Sequence, residues 1–169
     1  MEETFEDIVR RNQRRIYRLV YSFVRNEHDA DEITQNAFVN AYRGFGHFRH
    51  DSSVETWLSK IAINCMRSYL RKKKMLSIFY VFDGEEKTAD FSDSKQNTER
   101  EAESNTTMKA VNDAVNRLPA RQKEVFVMKH INGMSISDIT GTLGIAEGSV
   151  KASIFKAVQN LRKSLEGLR

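Results

Sequence analysis

Residues 135–165, SISDITGTLGIAEGSVKASIFKAVQNLRKSL, predict two helices joined by a short turn. Ser135 is a favourable N-cap with Asp138 three residues later, and Gly144 can adopt the left-handed conformation that ends a helix. The second helix carries an apolar stripe at helical spacing, formed by Val150, Ile154, Val158, Leu161 and Leu165. Two helices joined by a short turn containing glycine are typical of a helix-turn-helix.

The outward side of the second predicted helix suits a DNA groove. In a helix-turn-helix the second helix enters the major groove, where serine and lysine reach base edges or phosphates and alanine packs on a thymine methyl. The outward positions are Ser149, Lys151, Ala152, Ser153 and Lys156. An ordinary amphipathic helical hairpin fits the same pattern, so the residues alone leave both interpretations open.

Composition narrows the class of protein. The chain has 169 residues, 40% of them hydrophobic and 30% charged, which suits one globular domain or two small ones. One proline and eight glycines favour a mostly helical protein. A single cysteine, Cys65, excludes an intramolecular disulfide and a cysteine-based zinc site. No apolar run is long enough for a membrane span and the acidic N-terminus is unlike a signal peptide, so we expect a soluble, cytoplasmic protein.

Three helices are predicted before residue 75. Apolar residues from Phe5 to Val24 recur at helical spacing. The opposite face of this helix carries Arg10, Arg11, Arg14, Arg15 and Arg18. A second helix has acidic residues in its first turn, where the helix dipole favours them, and ends at Gly44 and Gly46. A third begins near Ser52, because Glu55 three residues later completes a capping-box pattern.

Charge divides the chain into three segments. Residues 1–75 hold 14 Lys and Arg against 10 Asp and Glu, residues 76–107 hold 3 against 8, and residues 108–169 hold 10 against 5. The middle segment is polar and lacks periodicity, as a linker does. We therefore expect two domains, 1–75 and 108–169, joined by a linker, 76–107. The apolar residues 75–82, MLSIFYVF, fit a strand or a helix extension equally well.

The stretch of the third predicted helix over residues 56–74 (TWLSKIAINCMRSYLRKKK) starts with an apolar stripe and ends in four cations. The helix dipole favours cations at that end whatever the function. The preceding loop, residues 44–53 (GFGHFRHDSS), adds aromatic and cationic residues. Aromatic rings beside cations can stack unpaired bases and hold their phosphates. Loop and helix together favour binding of single-stranded nucleic acid.

Other candidate sites are weaker. Cys65 lies on the apolar stripe without a histidine at metal-ligand spacing, so we interpret it as a structural thiol. Neighbouring acids in a first helical turn usually complement the dipole rather than bind metal. No phosphate-binding loop, nucleophile elbow or dinucleotide fingerprint is found. We expect no cofactor, no metal and no enzymatic activity.

Together these motifs resemble the extracytoplasmic function group of bacterial sigma factors, in the sigma-70 family. Residues 28–45 (HDADEITQNAFVNAYRGF) are similar to its core-binding helix, residues 48–64 (FRHDSSVETWLSKIAIN) to its promoter-melting segment, and residues 118–165 to its minus-thirty-five domain. The resemblance implies an all-α fold in which a sigma-2 helical bundle and a sigma-4 helix-turn-helix are joined by a flexible acidic linker.

The resemblance also implies roles for particular residues. The residues that would face core RNA polymerase are Asp29, Asp31, Glu32 and Gln35. Those that would hold the minus-ten element, with one base flipped from the melted strand, are Phe48, Arg49, His50, Asp51, Ser52, Ser53, Trp57, Asn64, Arg67, Arg71, Lys72 and Lys73. In the last helix Lys151, Ala152 and Lys156 match the family's minus-thirty-five contacts. Ser153 replaces a frequent arginine and Ala146 a Ser or Thr cap, which predicts fewer or different contacts there.

The implied partners are bacterial core RNA polymerase, promoter DNA as duplex and as melted strand, and an anti-sigma factor with or without a membrane anchor. No small-molecule substrate is implied. The alternative that the residues leave open is a stand-alone helix-turn-helix regulator whose N-terminal helices sense a signal or dimerise. An RNA-processing enzyme would need catalytic residues that the sequence does not supply.

Overall fold

The computed structural model describes the backbone of residues 4–82 and 102–166, and the side chains of residues 4–76 and 108–166. The chain divides into two compact units, Met1–Ser94 and Lys95–Arg169. All regular structure in the described residues is helical, which confirms the all-α prediction.

Three helices build the first unit. Their bounds are α1 Phe5–Val24, α2 Glu27–Gly44 and α3 Val54–Phe82, with a 3-10 turn at Phe45–His47. Each helix packs against the other two. Their facing apolar stripes form a closed core that includes Ile8, Ile16, Val20, Ile33, Ile63 and Met66. Burying each such side chain stabilises the unit by about 1.5–3 kcal/mol before conformational entropy is counted, so the core fixes how the three helices lie.

Side-chain caps set where these helices begin. Thr4 and Asp7 form a reciprocal capping box on α1, and Asn26 accepts the Asp29 N–H at 2.9 Å on α2. At the start of α3, Ser53 Oγ accepts the Thr56 N–H at 3.1 Å. The predicted capping box of Ser52 with Glu55 was therefore wrong by one residue. Ser53 Oγ also donates to Thr56 Oγ1 at 3.0 Å, so the two side chains are bonded to each other at the start of α3.

Helix α3 continues to Phe82, which settles the interpretation of residues 75–82 as a helix extension rather than a strand. The next described helix, α4 Ala102–Asn116, begins five residues before the predicted end of the linker at 107. The central part of the predicted linker lies outside the described residues.

The second unit contains α4 and three further helices, α5 Ala120–Phe126, α6 Ile136–Leu143 and α7 Glu147–Glu166. Helix α7 packs against the other three, burying Val150, Ala157 and Leu161. Ser135 and Asp138 form the predicted capping box on α6, and Gly144 ends that helix at φ 65°. The predicted helix-turn-helix is therefore confirmed, with α6 and α7 as its two helices.

The chain leaves the α-helical pattern directly after α5. Residues Val127–Ile131 form a π turn. The Asn132 backbone N–H donates to Val127 O at 3.0 Å and its side-chain amide donates to the same oxygen at 3.2 Å. Gly133 then turns the chain at φ 65°. These bonds from Asn132 replace the α-helical pattern in the last turn and bring α6 into position.

Candidate nucleic-acid interface

An aromatic cluster lies in the loop that joins α2 to α3. The Phe48 ring lies 4.7 Å from the Trp57 ring and 4.5 Å from the His50 ring, measured between centroids. Phe45 approaches Trp57 from the other side at 6.4 Å. Because Phe48 and Trp57 are only half-buried, the cluster presents ring surface to solvent. Such a surface can stack an unpaired base, with about 1–3 kcal/mol gained per stacked base.

The start of α1 packs against this aromatic cluster. Phe5 packs edge-on against Phe45 and against Tyr42, each with ring centroids 5.3 Å apart. Edge-on aromatic pairs contribute about 0.5–1.5 kcal/mol beyond their buried area. The aromatic rings thus form a continuous row from α1 through the end of α2 to the loop, and this row holds the loop in place.

The rest of the loop is polar and exposed. His50 adopts a left-handed conformation, φ 57°, which turns the chain toward α3. The neighbouring Arg49 and Asp51 form a salt bridge of 3.5 Å with 84% and 78% of their side chains exposed. A pair so exposed contributes little stability. Arg49 is therefore available to exchange the carboxylate for a phosphate. Ser52 and Ser53 are also exposed.

One face of α3 continues from the aromatic cluster. Spacings of three and four residues place on it Trp57, Lys60, Asn64, Arg67, Arg71 and Lys74. The Asn64 side chain is exposed and makes no hydrogen bond with the described residues. Its amide can donate and accept, as reading a base edge requires. Lys60 was missed from the sequence and Lys74 was counted among the four cations without a role, although their spacing from Asn64 and Arg71 could have identified both.

The cations at the end of this stretch point in different directions. Successive helical residues are rotated by about 100°, so Arg71, Lys72 and Lys73 cannot share one face. Arg71 and Lys72 are exposed. Lys73 instead turns toward α2, where its Nζ lies 2.7 Å from Asp29 Oδ2. The structure therefore brings Arg71 to the face of Asn64 and takes Lys73 away from it.

Asp29 is the centre of a network between α2 and α3. Its side chain is only 10% exposed, and besides Lys73 it accepts a hydrogen bond from the Tyr69 hydroxyl at 2.7 Å. Burial raises the pKa of Asp29, but the hydrogen bonds from Lys73 and Tyr69 outweigh it, so the pKa lies below its usual 3.8. Burial and the adjacent Asp29 raise the pKa of Tyr69 to about 12. The network is thus an ionised carboxylate held by a cation and a neutral phenol.

The four residues predicted to face polymerase therefore separate into two groups. Asp31, Glu32 and Gln35 are exposed on α2. Asp29 points inward and positions the helix instead of presenting a carboxylate to a partner. Two exposed apolar residues, Val39 at 48% and Tyr42 at 68%, extend the face of Glu32 and Gln35 by further steps of four and three residues. Neither was predicted from the sequence, although their spacing could have revealed them.

Four of the five predicted outward residues of α7 are exposed, and Ser153 is half-buried. Lys151 pairs with Glu147 at 2.5 Å, and this hydrogen bond lowers the pKa of Glu147. Phe155 is 63% exposed on the same side and was missed, because it was counted neither as core nor as contact. The turn before α7 has Ala146 at its cap position, where the Ser149 N–H donates to the alanine carbonyl and no side chain caps the helix.

Among the described residues, no three metal-ligating side chains come together. No described helix is long and apolar enough to cross a membrane. Cys65 is half-buried between α2 and α3 and its sulfur accepts a hydrogen bond from the Asn40 amide at 3.2 Å. This contact agrees with the interpretation of Cys65 as a structural thiol.

A helix-turn-helix unit, together with a helical unit that presents aromatic rings, an amide and cations on one face, defines an all-helical DNA-binding protein. Two family models match the chain, Sigma-70 region 2 over residues 8–75 and Sigma-70, region 4 over residues 108–161. The chain belongs to the sigma-70 family and, by its relatives, to the extracytoplasmic function (ECF) sigma factors.

Those relatives match most of the chain. The ECF RNA polymerase sigma factor SigM of Mycobacterium tuberculosis is 34% identical over 161 residues, which cover 95% of this chain and 76% of the relative. SigW of Bacillus subtilis, another ECF RNA polymerase sigma factor, is 31% identical over 174 residues, with 99% and 91% covered.

Solved structures agree in fold. The sigma factor RpoE of Bartonella quintana, in complex with the anti-sigma factor NepR, aligns with a TM-score of 0.71 at 20% identity and covers 98% of both chains. CnrH, in complex with the cytosolic domain of CnrY, aligns with a TM-score of 0.69 at 23% identity, covering 96% of this chain and 88% of that one. At these identities the likeness concerns the fold alone.

Proposed function

We propose that this sigma factor binds bacterial core RNA polymerase and directs it to promoters by holding one melted strand against the first unit and duplex DNA against the second. One observation carries the proposal. The aromatic cluster, the side-chain amide of Asn64 and the guanidinium of Arg71 follow one another along one exposed face of α3. These groups supply stacking, base reading and phosphate binding in that order.

We assign one role to each of the three segments predicted from the sequence. Residues 1–75 bind core polymerase and the minus-ten element, residues 108–169 bind the minus-thirty-five element, and residues 76–107 connect them. Phe48 and Trp57 wall the pocket for a flipped base, whose extrusion costs a few kcal/mol. The loop residues from Arg49 to Ser53 line its rim, and Asn64 reads the base edge.

The phosphates beside this base are bound by the cations on α3. Arg67 and Arg71 lie on the same face as Asn64. Lys72 is exposed but rotated by about 100° from Arg71, so it binds a neighbouring phosphate, and Lys73 acts through Asp29 as a positioning residue. In the second unit, α7 enters the major groove with Ser149, Lys151, Ala152, Ser153 and Lys156 toward the bases. Since Lys151 is paired with Glu147 in the free protein, DNA competes with that carboxylate for the lysine.

Core polymerase is bound by the exposed side of α2, through Asp31, Glu32 and Gln35 with Val39 and Tyr42 beside them. An acidic rim around apolar residues suits a basic helical partner. An anti-sigma factor is a second partner, since a structural relative is recorded with one. The protein itself carries out no covalent chemistry and acts in the bacterial cytoplasm, where the polymerase is.

A binding experiment tests this proposal. The full chain is mixed with core polymerase and purified by size exclusion, and the complex is then titrated with a promoter probe whose minus-ten strand is unpaired. We expect co-elution with core and probe binding that core alone does not show. A chain that binds duplex DNA tightly by itself and does not co-elute with core would instead be the stand-alone regulator.

A further inference from the structure

Helix α1 has an exposed arginine surface that the proposed function does not use. Every cation in residues 1–25 is arginine, and the first lysine of the chain is Lys60. A face that serves only solubility has no preference for arginine over lysine. Arginine binds phosphate with a planar fork of donors, which a lysine ammonium cannot form. The exclusive use of arginine therefore points to a phosphate-bearing ligand.

The arginines of α1 separate into two groups. Arg11 and Arg15 turn toward the start of α3, where Arg15 Nη1 donates to Glu55 O at 3.1 Å and Arg11 lies 3.8 Å from the Glu55 carboxylate. Arg10, Arg14 and Arg18 point to solvent at intervals of four residues. We call these three the α1 arginine face. Along the helix axis they are about 6 Å apart, a spacing comparable to that of phosphates on an extended single strand.

Few acidic side chains compensate the positive charge of the α1 arginine face. Arg14 and Arg18 make no hydrogen bond or salt bridge with any described residue. The acids one turn before Arg10 are Glu6 and Asp7, and the Asp7 carboxylate already accepts the Thr4 hydroxyl at 2.6 Å in the capping box of α1. Uncompensated guanidinium groups in a row create a positive potential that attracts a polyanion.

The neighbours of the α1 arginine face indicate which way a bound strand runs. On one side lie Tyr17 and the acids of α2, since burial first, and then Asp31 and Glu27, raise the pKa of Tyr17. Negative charge there repels phosphate. On the other side, Arg15 contacts the backbone of Glu55, two residues before Trp57. A strand leaving the Trp57 pocket can therefore follow the arginines without meeting the acids of α2.

We propose that the α1 arginine face binds the phosphate backbone of the melted promoter strand, next to the nucleotides held at Trp57. The inference rests on the proposed function, because it requires that this strand be present. It adds a second phosphate-binding surface on a helix different from α3. An acidic protein segment is the competing ligand, and the experiment separates the two.

The experiment compares three proteins in complex with core polymerase. They are the wild type, Arg14→Gln with Arg18→Gln, and a charge-matched control, Arg43→Gln with Lys109→Gln, which removes two exposed cations elsewhere. Binding to a fluorescent probe with an unpaired minus-ten strand is measured between 50 and 300 mM KCl, salt concentrations on the order used to define such slopes. Each single-strand phosphate contact contributes about 0.7 to the slope of log affinity against log salt.

We expect the slope to fall by about 1.4 in the α1 variant and to stay at the wild-type value in the control. Arg14→Lys with Arg18→Lys retains the charge and should recover most of the slope. An unchanged slope in the Gln variant overturns the inference. So does an equal fall with a fully duplex probe, which would make duplex DNA the ligand, or lost core binding with an unchanged slope, which would make a protein the ligand.

Failure of the proposed function gives a different result. If the wild-type complex does not bind the unpaired strand better than core alone, both proposals fall together. If the wild type binds and Asn64→Ala weakens binding while the α1 variant does not, only the α1 inference is wrong. Unfolding followed by fluorescence of Trp57, the one tryptophan of the chain, checks that every variant is folded.

Discussion

Lys73 Nζ lies 2.7 Å from Asp29 Oδ2 and joins the end of α3 to the start of α2. The sequence assigned these two residues to different partners, Lys73 to DNA and Asp29 to polymerase. Their pairing, completed by the Tyr69 hydroxyl, instead fixes the angle between the helix that carries the proposed polymerase contacts and the helix that carries the proposed strand contacts. Lys73 and Asp29 lie next to the surfaces to which they were assigned. Their role is to position the residues that make the proposed contacts.

This pairing predicts different outcomes for neighbouring acids on α2. Asp29→Ala should lower the free energy of unfolding of the first unit by about 2 kcal/mol, because a hydrogen-bonded charge is lost and Tyr69 is left without its acceptor. Glu32→Ala should change it by less than about 0.5 kcal/mol and weaken core binding. Denaturant unfolding followed by Trp57 fluorescence measures the first effect and co-elution with core the second. Equal destabilisation by both would contradict the assignment.

The same carboxylate predicts a dependence on pH. Because the pKa of Asp29 is lowered in the folded state, its stabilisation is present above the usual value of 3.8 and is lost as pH falls through the lower folded pKa. Asp29→Asn should therefore destabilise the first unit at pH 7 and make its stability less dependent on pH below about 4. Acid titrations of both proteins, read by Trp57 fluorescence, check this, and parallel curves would be the contrary result.

Lys72 and Lys73 form a matched pair of single-charge substitutions. Lys72→Gln should leave stability unchanged and reduce the salt slope of promoter binding by about 0.7, the contribution of one single-strand phosphate contact. Lys73→Gln should destabilise the first unit and leave the slope near the wild-type value, because its ammonium is occupied by Asp29. Salt titrations and unfolding curves are compared for the two variants. The reverse assignment of effects would show that Lys73 faces the DNA.

Asn64→Ala tests the reading of a base. The side chain makes no bond with the described protein, so the substitution should leave folding and core binding intact. It should reduce discrimination at one position of the unpaired strand by about 1–3 kcal/mol, the usual value of a good bidentate base contact. Binding of probes that carry each of the four bases in turn measures this. A uniform loss for all four probes, or loss of core binding, would count against the pocket.

Ala146→Ser tests the cap of α7. A serine side chain can accept an N–H that the alanine leaves to its carbonyl alone, so the second unit should become more stable by about 1 kcal/mol. Protection of the α7 amides from hydrogen exchange measures the change. If the turn before α7 cannot accommodate the serine rotamer, protection will not increase, and the interpretation of Ala146 as the cap fails.

Much of this fold was predictable from local chemistry. Helical periodicity predicts the extent of α1. Residues within a few positions of one another predict the capping box at Ser135 and the end of the helix at Gly144. The π turn after Phe126 was not predictable, since it depends on Asn132 reaching Val127 O. The Lys73–Asp29 bond joins residues 44 positions apart and requires the packing of α2 on α3. The family resemblance singled out Asn64 and Lys73, but only the packed helices show that Lys73 pairs with Asp29.

The most direct test of the central claim is transcription. Core polymerase is supplied with this protein and genomic DNA, and the 5′ ends of the transcripts are sequenced. We predict start sites that are absent with core alone and that share one sequence motif about 10 base pairs and another about 35 base pairs upstream, one for each DNA-binding unit. Transcripts that start at the same positions with and without the protein, or at sites sharing no motif, would contradict the account.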